Sequence, residues 1–437
     1  MTFDQIASLQ PALAAMLAKF RAYFKRDKTF GYWQTYILGL MADVKRKSVE
    51  PIALAAEVPV RTLQEFLAFF RWDHERIDLA LGRLAAREHS ADGSIGVFDA
   101  SAHAKRGDKT PGVKRQWCGE SGKIDNCVVG QHLLYTDNAT DNPFSCVVAS
   151  DLFLPKDWSR DRDRCRAAGI PEAMVHRPKW RIAIEQLQRA IGNGIRFSYV
   201  TFDEDYGQIP SFWFELDRLG QDGVGEVRKN FGCWVKPPSC RSLRDEHGAR
   251  RVDNIARYSP AFRKQAWRKI TIKVATRGPV AWKVKAARVH LVDAHRGRNY
   301  PSMPTDRRYW LIVAAHPRTD ERKYFVSNAS GNASLKELLA AAFARWRVEK
   351  WFERSKQEAG FGAFEVRTYT SLIRHWLSSR MAMYFLAAQT QRLRGEKSAD
   401  HVRAGGRRGQ HSGDEDLANL AAFVHSPAQE LPVLPVA

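Results

Sequence analysis

Apolar residues recur at helical spacing through roughly the first 90 positions and at the alternating spacing of strands from position 95 onward. KSVEPIALAAEVPVRTLQEFLAFFRWD holds two short amphipathic segments, over 51–57 and 60–70, broken at Val58 and Pro59. This predicts a helix-turn-helix with Arg61 and Gln64 near the start of the second helix, where base or backbone contacts fall. A plain helical bundle fits the same pattern. SIGVFDAS is a short apolar run closing on Asp99, and the turn GESGK leads to strands over 127–135 and 146–154. WRIAIEQLQRAI, 180–191, has helical periodicity and is closed by Gly192 and Gly194. FSYVTFDEDYG then predicts a fourth strand ending in Asp203, with a helix over 210–219.

Three strands, a helix, a strand and a helix, with an acid ending the first and fourth strands, is a ribonuclease H-like order. It brings two strand-end carboxylates to one edge of a sheet. From about 225 to 329 the pattern is β-rich: VGEVRKNFGCWVKPP, KITIKVA, VAWKVKAARVHLV, YWLIVAAH and KYFVSNA are strand candidates. A helix carrying Glu349 is expected to begin after Ser334 as N-cap. Asp203 and Glu349 are 349 − 203 = 146 positions apart, so a β domain stands between them. The predicted class is α/β, an RNase H-like core with an inserted β-rich domain. The expected division is 1–90 helical and DNA-binding, 91–224 first part of the core, 225–333 β insertion, 334–392 catalytic helix and end of the core, and 393–437 basic flexible tail.

Charge changes the picture more than composition does. The 437 residues carry 69 Lys+Arg against 48 Asp+Glu, a net +21. Such an excess points to a polyanion, most simply nucleic acid, because each neutralised phosphate releases counterions. A packing protein of nucleic acid can be as basic but has no need of 13 Trp and 23 Phe. No apolar run has the length to cross a membrane, and the start, with Asp4, reads as an amphipathic helix, so a cytoplasmic location is expected. The six cysteines form no C-x-x-C pair and read as buried reduced thiols.

In ARWRVEKWFERSKQEAG the residues Arg345, Glu349 and Lys356 stand at offsets 0, 4 and 11. At a helical turn of 100° per residue all three fall within about 40° of one another. A carboxylate flanked by two cations suits a metal ion on one phosphate with neighbouring phosphates clamped either side, although an exposed helix with an i,i+4 pair has the same pattern. Asp99, Asp203 and Glu349 together supply the hard oxygen ligands that two Mg²⁺ ions require, Mn²⁺ being a substitute. Asp203 is preferred to Asp205 because it ends the apolar run. Lys105, Arg106, Lys109, Lys114 and Arg115 follow Asp99 and are candidates to hold a DNA backbone. His103 is expected to be a hydrogen-bonding loop residue. Trp234, Trp267 and Trp282 are candidates to stack on a displaced base, against the commoner fate of a place in the core.

These motifs resemble the bacterial insertion-sequence transposases of the DDE class, and within them the branch with a Y-(2)-R-(3)-E-(6)-K signature. Arg345, Glu349 and Lys356 match R, E and K, whereas Ala342 stands where the signature has Tyr. VFDASAHAKRGDKTPGVKRQWCGESGKIDNC is similar to the family's run around the first acid, Asp99, and TFDEDYG to that around the second, Asp203. YFVSNAS and FEVRTYTSLIRHW also resemble family segments, so the likeness covers roughly 95–376. It implies Mg²⁺-dependent cleavage at the ends of a mobile element and strand transfer of the 3′-OH into target DNA. It further implies a homodimer on two double-stranded ends in a bacterial, nucleoid-associated setting. Asp99, Asp203 and Glu349 would be metal ligands, and Arg345 and Lys356 would hold phosphates. The alternatives are an RNase H-like nuclease and a catalytically silent DNA-binding repressor.

Overall fold

The N-terminal part folds as helices α1 (Leu9–Ala18), α2 (Asp27–Met41), α3 (Val49–Ala55), α4 (Val60–Ala68) and α5 (His74–His89). Apolar stripes explain their packing: Trp33, Tyr36, Ile37 and Leu40 of α2 and Leu63, Phe66 and Leu67 of α4 are buried. At the start of α5 the Asp73 carboxylate accepts from the Arg76 amide at 3.0 Å, a side-chain N-cap. The computed structural model describes residues 8–139, 143–236, 249–274, 278–293, 303–319 and 321–403. Cys240 and most of the expected tail lie outside them.

The strands are β1 (Ile95–Ala104), β2 (Lys114–Cys118), β3 (Lys123–Thr136), β4 (Ser145–Leu152), β5 (Tyr199–Phe202), β6 (Gly223–Val227), β7 (Gly232–Trp234), β8 (Arg250–Arg251), β9 (Arg268–Val274), β10 (Gly278–Asp293), β11 (Met303–Ala315) and β12 (Arg322–Ser327). Between β4 and β5 lie α6 (Lys156–Arg160), α7 (Arg162–Ala167) and α8 (Lys179–Gly192). α9 (Glu204–Gly207) and α10 (Pro210–Arg218) follow β5, and α11 (Val252–Tyr258) and α12 (Pro260–Arg263) follow β8. The chain then runs through α13 (Leu335–Phe343), α14 (Trp346–Glu358) and α15 (Tyr369–Arg403).

One mixed sheet of 12 strands joins them in the order β2-β3-β1-β5-β6-β12-β11-β10-β7-β8, with β4 on β3 and β9 on β10. β3 is antiparallel to β1, while β5 is parallel to β1 and to β6. From Cys127 to Thr136 every residue of β3 is buried, as a strand covered by helices on both faces must be. The expected boundary at 225 falls inside β6. That strand pairs in parallel with β5, and β12 then pairs antiparallel to it, so backbone hydrogen bonds run unbroken from the first strands into the β-rich region.

Other differences have local causes. β1 does not stop at Asp99 but continues to Ala104, because Ala100–Ala104 keep pairing with β3. The helix expected from Ser334 is interrupted at Ala344 and Arg345, so Glu349 lies in the first turn of α14. α15 runs past position 393 to Arg403. Among the described residues no helix is long and apolar enough to cross a membrane.

Candidate active site

Asp99 sits where two neighbouring strands part. The β1–β5 ladder ends at Val97 opposite Thr201, and two residues farther on each chain stand Asp99 and Asp203. The Asp99 side chain keeps about a fifth of its surface and accepts from the Ala100 amide at 2.7 Å. Asp203 leaves β5 and caps α9, accepting from the Asp205 amide at 2.9 Å.

α14 lies beside β1, and Arg345 at its start and Lys356 in its last turn reach that strand. Arg345, at the N-cap, reaches Asp99 with Nη1–Oδ2 of 3.9 Å and Glu349 with Nη2–Oε1 of 2.7 Å. At the other end Lys356 donates to the Ala102 carbonyl of β1 at 3.5 Å and pairs with Glu120 at 3.5 Å. The helix is seated by an aromatic cluster: Phe352 lies against His132, and Phe361 and Trp376 close on both His132 and His103.

Burial pushes the Asp99 carboxyl up to about 7, and the Asp203 charge adds to the rise; Arg345 opposes it and Glu349 adds a little. Asp203 is also raised, by burial first and by Asp205 next. Burial works against the charge of Arg345, but Glu349 and Asp99 outweigh it and hold the guanidinium charged. The three acids therefore form one electrostatic unit with Arg345 among them.

The expected convergence of these acids on shared ions takes a different form. Among the described residues no three His, Cys, Asp or Glu side chains stand close enough to hold an ion together. Instead the guanidinium of Arg345 occupies the place between Asp99 and Glu349. The donor set nevertheless fits a hard divalent cation: its members are carboxylates, and both the burial that lifts Asp99 and the Asp203 charge that adds to it disfavour a carboxylate that a cation would stabilise.

Other predicted residues distribute unevenly. Lys105 follows the extended β1 and turns inward: its half-buried ammonium donates to the carbonyls of Gly362 at 2.9 Å and Phe364 at 2.8 Å. Burial brings it down to about 8. Lys114 is paired with Asp157, while Arg106 and Arg115 are exposed. On α4, Arg61 pairs with Glu65 at 2.6 Å and Gln64 faces solvent.

His103 is not a loop residue; it is fully buried in β1, with neither ring nitrogen partnered. Trp234 and Trp282 are buried, whereas Trp267 is exposed with the Lys285 ammonium 4.8 Å from its ring centroid. Ala342 is packed inside α13. Glu120 was invisible to pattern reading because its contacts join residues distant in the chain.

The family model of the DDE superfamily endonucleases matches residues 19–279. That span holds Asp99 and Asp203 and stops short of Glu349. The chain is similar to a protein described as the probable transposase for insertion sequence element IS701 of Microchaete diplosiphon, 26% identical over 239 residues. The match covers 52% of this chain and 59% of the relative, so the chain spans about three fifths of that relative's length. Among solved structures it is similar to a piggyBac transposase synaptic complex with hairpin DNA, seen by cryo-EM. That likeness has a TM-score of 0.44 at 11% identity, over 98% of this chain and 81% of that one.

Proposed function

This chain belongs to the DDE superfamily of endonucleases, and from that premise we propose that it is a DNA transposase. It cleaves at the ends of a mobile element and joins the freed 3′-OH to target DNA. The observation that carries the reading is the bridging guanidinium: Arg345 touches both Asp99 and Glu349, and Asp203 acts on Asp99 from the adjoining strand end. The strand order β4-β3-β1-β5-β6, with β5 parallel to both β1 and β6 and β3 antiparallel to β1 and β4, supports an RNase H-like core.

Asp99, Asp203 and Glu349 are the residues to hold divalent metal, two Mg²⁺ ions in this reading. When bound, the metal neutralises charge at the scissile phosphate and lowers the pKa of the attacking water or 3′-OH. The protein's own contributions are positional. The α14 first turn sets Glu349 against the Arg345 guanidinium that also faces Asp99, and α9 fixes Asp203 through its cap. Arg345, already charged at the carboxylates, has the planar fork that binds a phosphate oxygen pair. Lys356 is held about 10 Å farther along β1, three residues beyond Asp99, where it meets a phosphate away from the one being cut. The partner is double-stranded DNA, as element ends and as target, in a homodimer with two ends. Helices α3 and α4, with Arg61 and Gln64 on the exposed side, form its N-terminal DNA-binding part.

A nicking assay on DNA carrying the element's own termini, with Mg²⁺, tests this. Asp99→Asn and Glu349→Gln are expected to abolish cleavage while end binding in a gel shift stays near that of the wild type. Cleavage that survives in both variants overturns the assignment. Binding without any cleavage by the wild type would instead favour a silent repressor.

A further inference from the structure

The hairpin of β2 and β3 is pinned from beneath and open above. Its underside is a small apolar cluster of Cys118, Cys127 and Val129, packed with Ala100, Ala102 and Phe153. Its turn is tied to the candidate active site through Glu120, which accepts from the Ala104 amide at 2.8 Å and pairs with Lys356 at 3.5 Å. On the upper side Trp117 stands directly opposite Ile124 in the β2–β3 register. Both are far out of the core, Trp117 65% and Ile124 59% exposed. Scattered exposed apolar side chains need no explanation, but an aromatic paired across two strands with a β-branched neighbour makes a flat apolar platform. Arg115, two residues before Trp117 on β2, shares its face as an exposed cation, and Arg106 is exposed in the loop after β1.

An aromatic face among cations matches single-stranded DNA, whose bases stack on the ring while phosphates meet the charges. We propose that Trp117, backed by Ile124, is a stacking platform for an unpaired base of DNA held at the Asp99 site. The proposal rests on the transposase reading and adds where an opened strand goes. Lys356, the contact point of the hairpin turn, bonds to Ala102, three residues along β1 from Asp99. That is roughly 10 Å, or about three nucleotides of a B-form strand. The hairpin that carries Trp117 is thus anchored about three nucleotides' length along β1 from Asp99. Arg115, on the same face as the ring, holds the backbone beside it.

The test uses the full chain without added divalent ions, so that no cleavage intervenes. The probes are a duplex with a short single-stranded overhang carrying aminopurine and the same duplex blunt-ended. Trp117→Ala is expected to weaken binding of the overhang duplex about tenfold and to abolish quenching of the aminopurine. It should leave the blunt duplex nearly unchanged, and Trp117→Phe should restore most of the affinity. Undiminished overhang binding by Trp117→Ala overturns the proposal. So does equal weakening on both duplexes, which would mean general docking rather than base stacking. Failure of the carboxylate assignment shows separately, as cleavage surviving in Asp99→Asn, and leaves this binding result unaffected.

Discussion

The guanidinium of Arg345 reaches Glu349 one helical turn later, with Nη2–Oε1 of 2.7 Å, and the same group faces Asp99. It is the cation that offsets acids otherwise set against each other. Arg345→Gln removes that offset and leaves Asp99 beside Asp203 with burial already raising its carboxyl. In the presence of a chelator this variant is expected to lose about 1–2 kcal/mol of stability at neutral pH. Mg²⁺ should raise its melting temperature more than that of the wild type, because the ion takes over the neutralising role. Thermal unfolding with and without Mg²⁺ measures both, and an equal response in the two proteins would count against a metal site among these acids.

Asp203 and Asp205 differ in what they already hold. Asp205 is exposed and bonded to Arg228 at 2.9 Å, whereas Asp203 is half-buried at the strand end and acts on Asp99. Asp203→Asn should abolish nicking, and Asp205→Asn should leave most of it. The reverse outcome would move the second acid two residues along the chain.

Helix α8 and the strands around Asp99 and Asp203 were legible because their apolar period is strong and their ends carry Gly or acidic punctuation. β2 was not: KRQWC has too few apolar residues to show a period, and it becomes a strand only by pairing with β3. Nor was the break at Ala344 and Arg345, where every residue is compatible with helix and no Gly or Pro marks an end. That break matters, since it sets Arg345 at an N-cap facing Asp99 rather than in mid-helix. Lys105 was misplaced for a related reason. Small residues in ASAHA read as the end of a strand, but pairing to β3 carries the strand on, and the lysine lands against Phe364, 3.7 Å from the ring centroid. The joint of β6 and β12 is a contact between segments about 100 residues apart, which no local pattern encodes.

Gly207 closes the turn that begins at Asp203, its amide bonding to the Asp203 carbonyl at 3.0 Å. A methyl group there would stand 2.0 Å from the Glu226 carbonyl oxygen of β6. That obstacle is backbone, so α9 must move and take the Asp203 cap with it. Gly207→Ala is expected to cost about 1–3 kcal/mol and to reduce nicking several-fold. Gly192→Ala at the end of α8 meets nothing within 4 Å and serves as the control. Urea midpoints and nicking rates of the two variants check this, and equal behaviour would show that α9 tolerates the shift.

His375 of α15 couples the N-terminal helices to the segment after α14. Its Nδ1 accepts from the Tyr36 hydroxyl at 2.7 Å, and its Nε2–H donates to the Gly360 carbonyl at 2.9 Å. The neutral ring satisfies both bonds, with the tyrosine hydroxyl donating to Nδ1 and the Gly360 carbonyl accepting from Nε2–H. Burial, with the Lys105 charge adding to it, lowers the imidazole to about 4 from an ordinary 6.5. The folded value lies below the unfolded one, so the unfolded chain takes up its proton first as pH falls. The contribution is complete above about pH 6.5 and is lost progressively down to about pH 4, amounting to about 3 kcal/mol from this residue. His103 and His132, also buried and lowered, steepen the same loss. His375→Gln retains a donor and an acceptor but binds no proton. Its stability should be lower than that of the wild type at about pH 7 and fall less steeply on acidification. Denaturant unfolding of both proteins at about pH 7 and about pH 5 compares the slopes, and parallel losses would show that His375 is not held neutral by the fold.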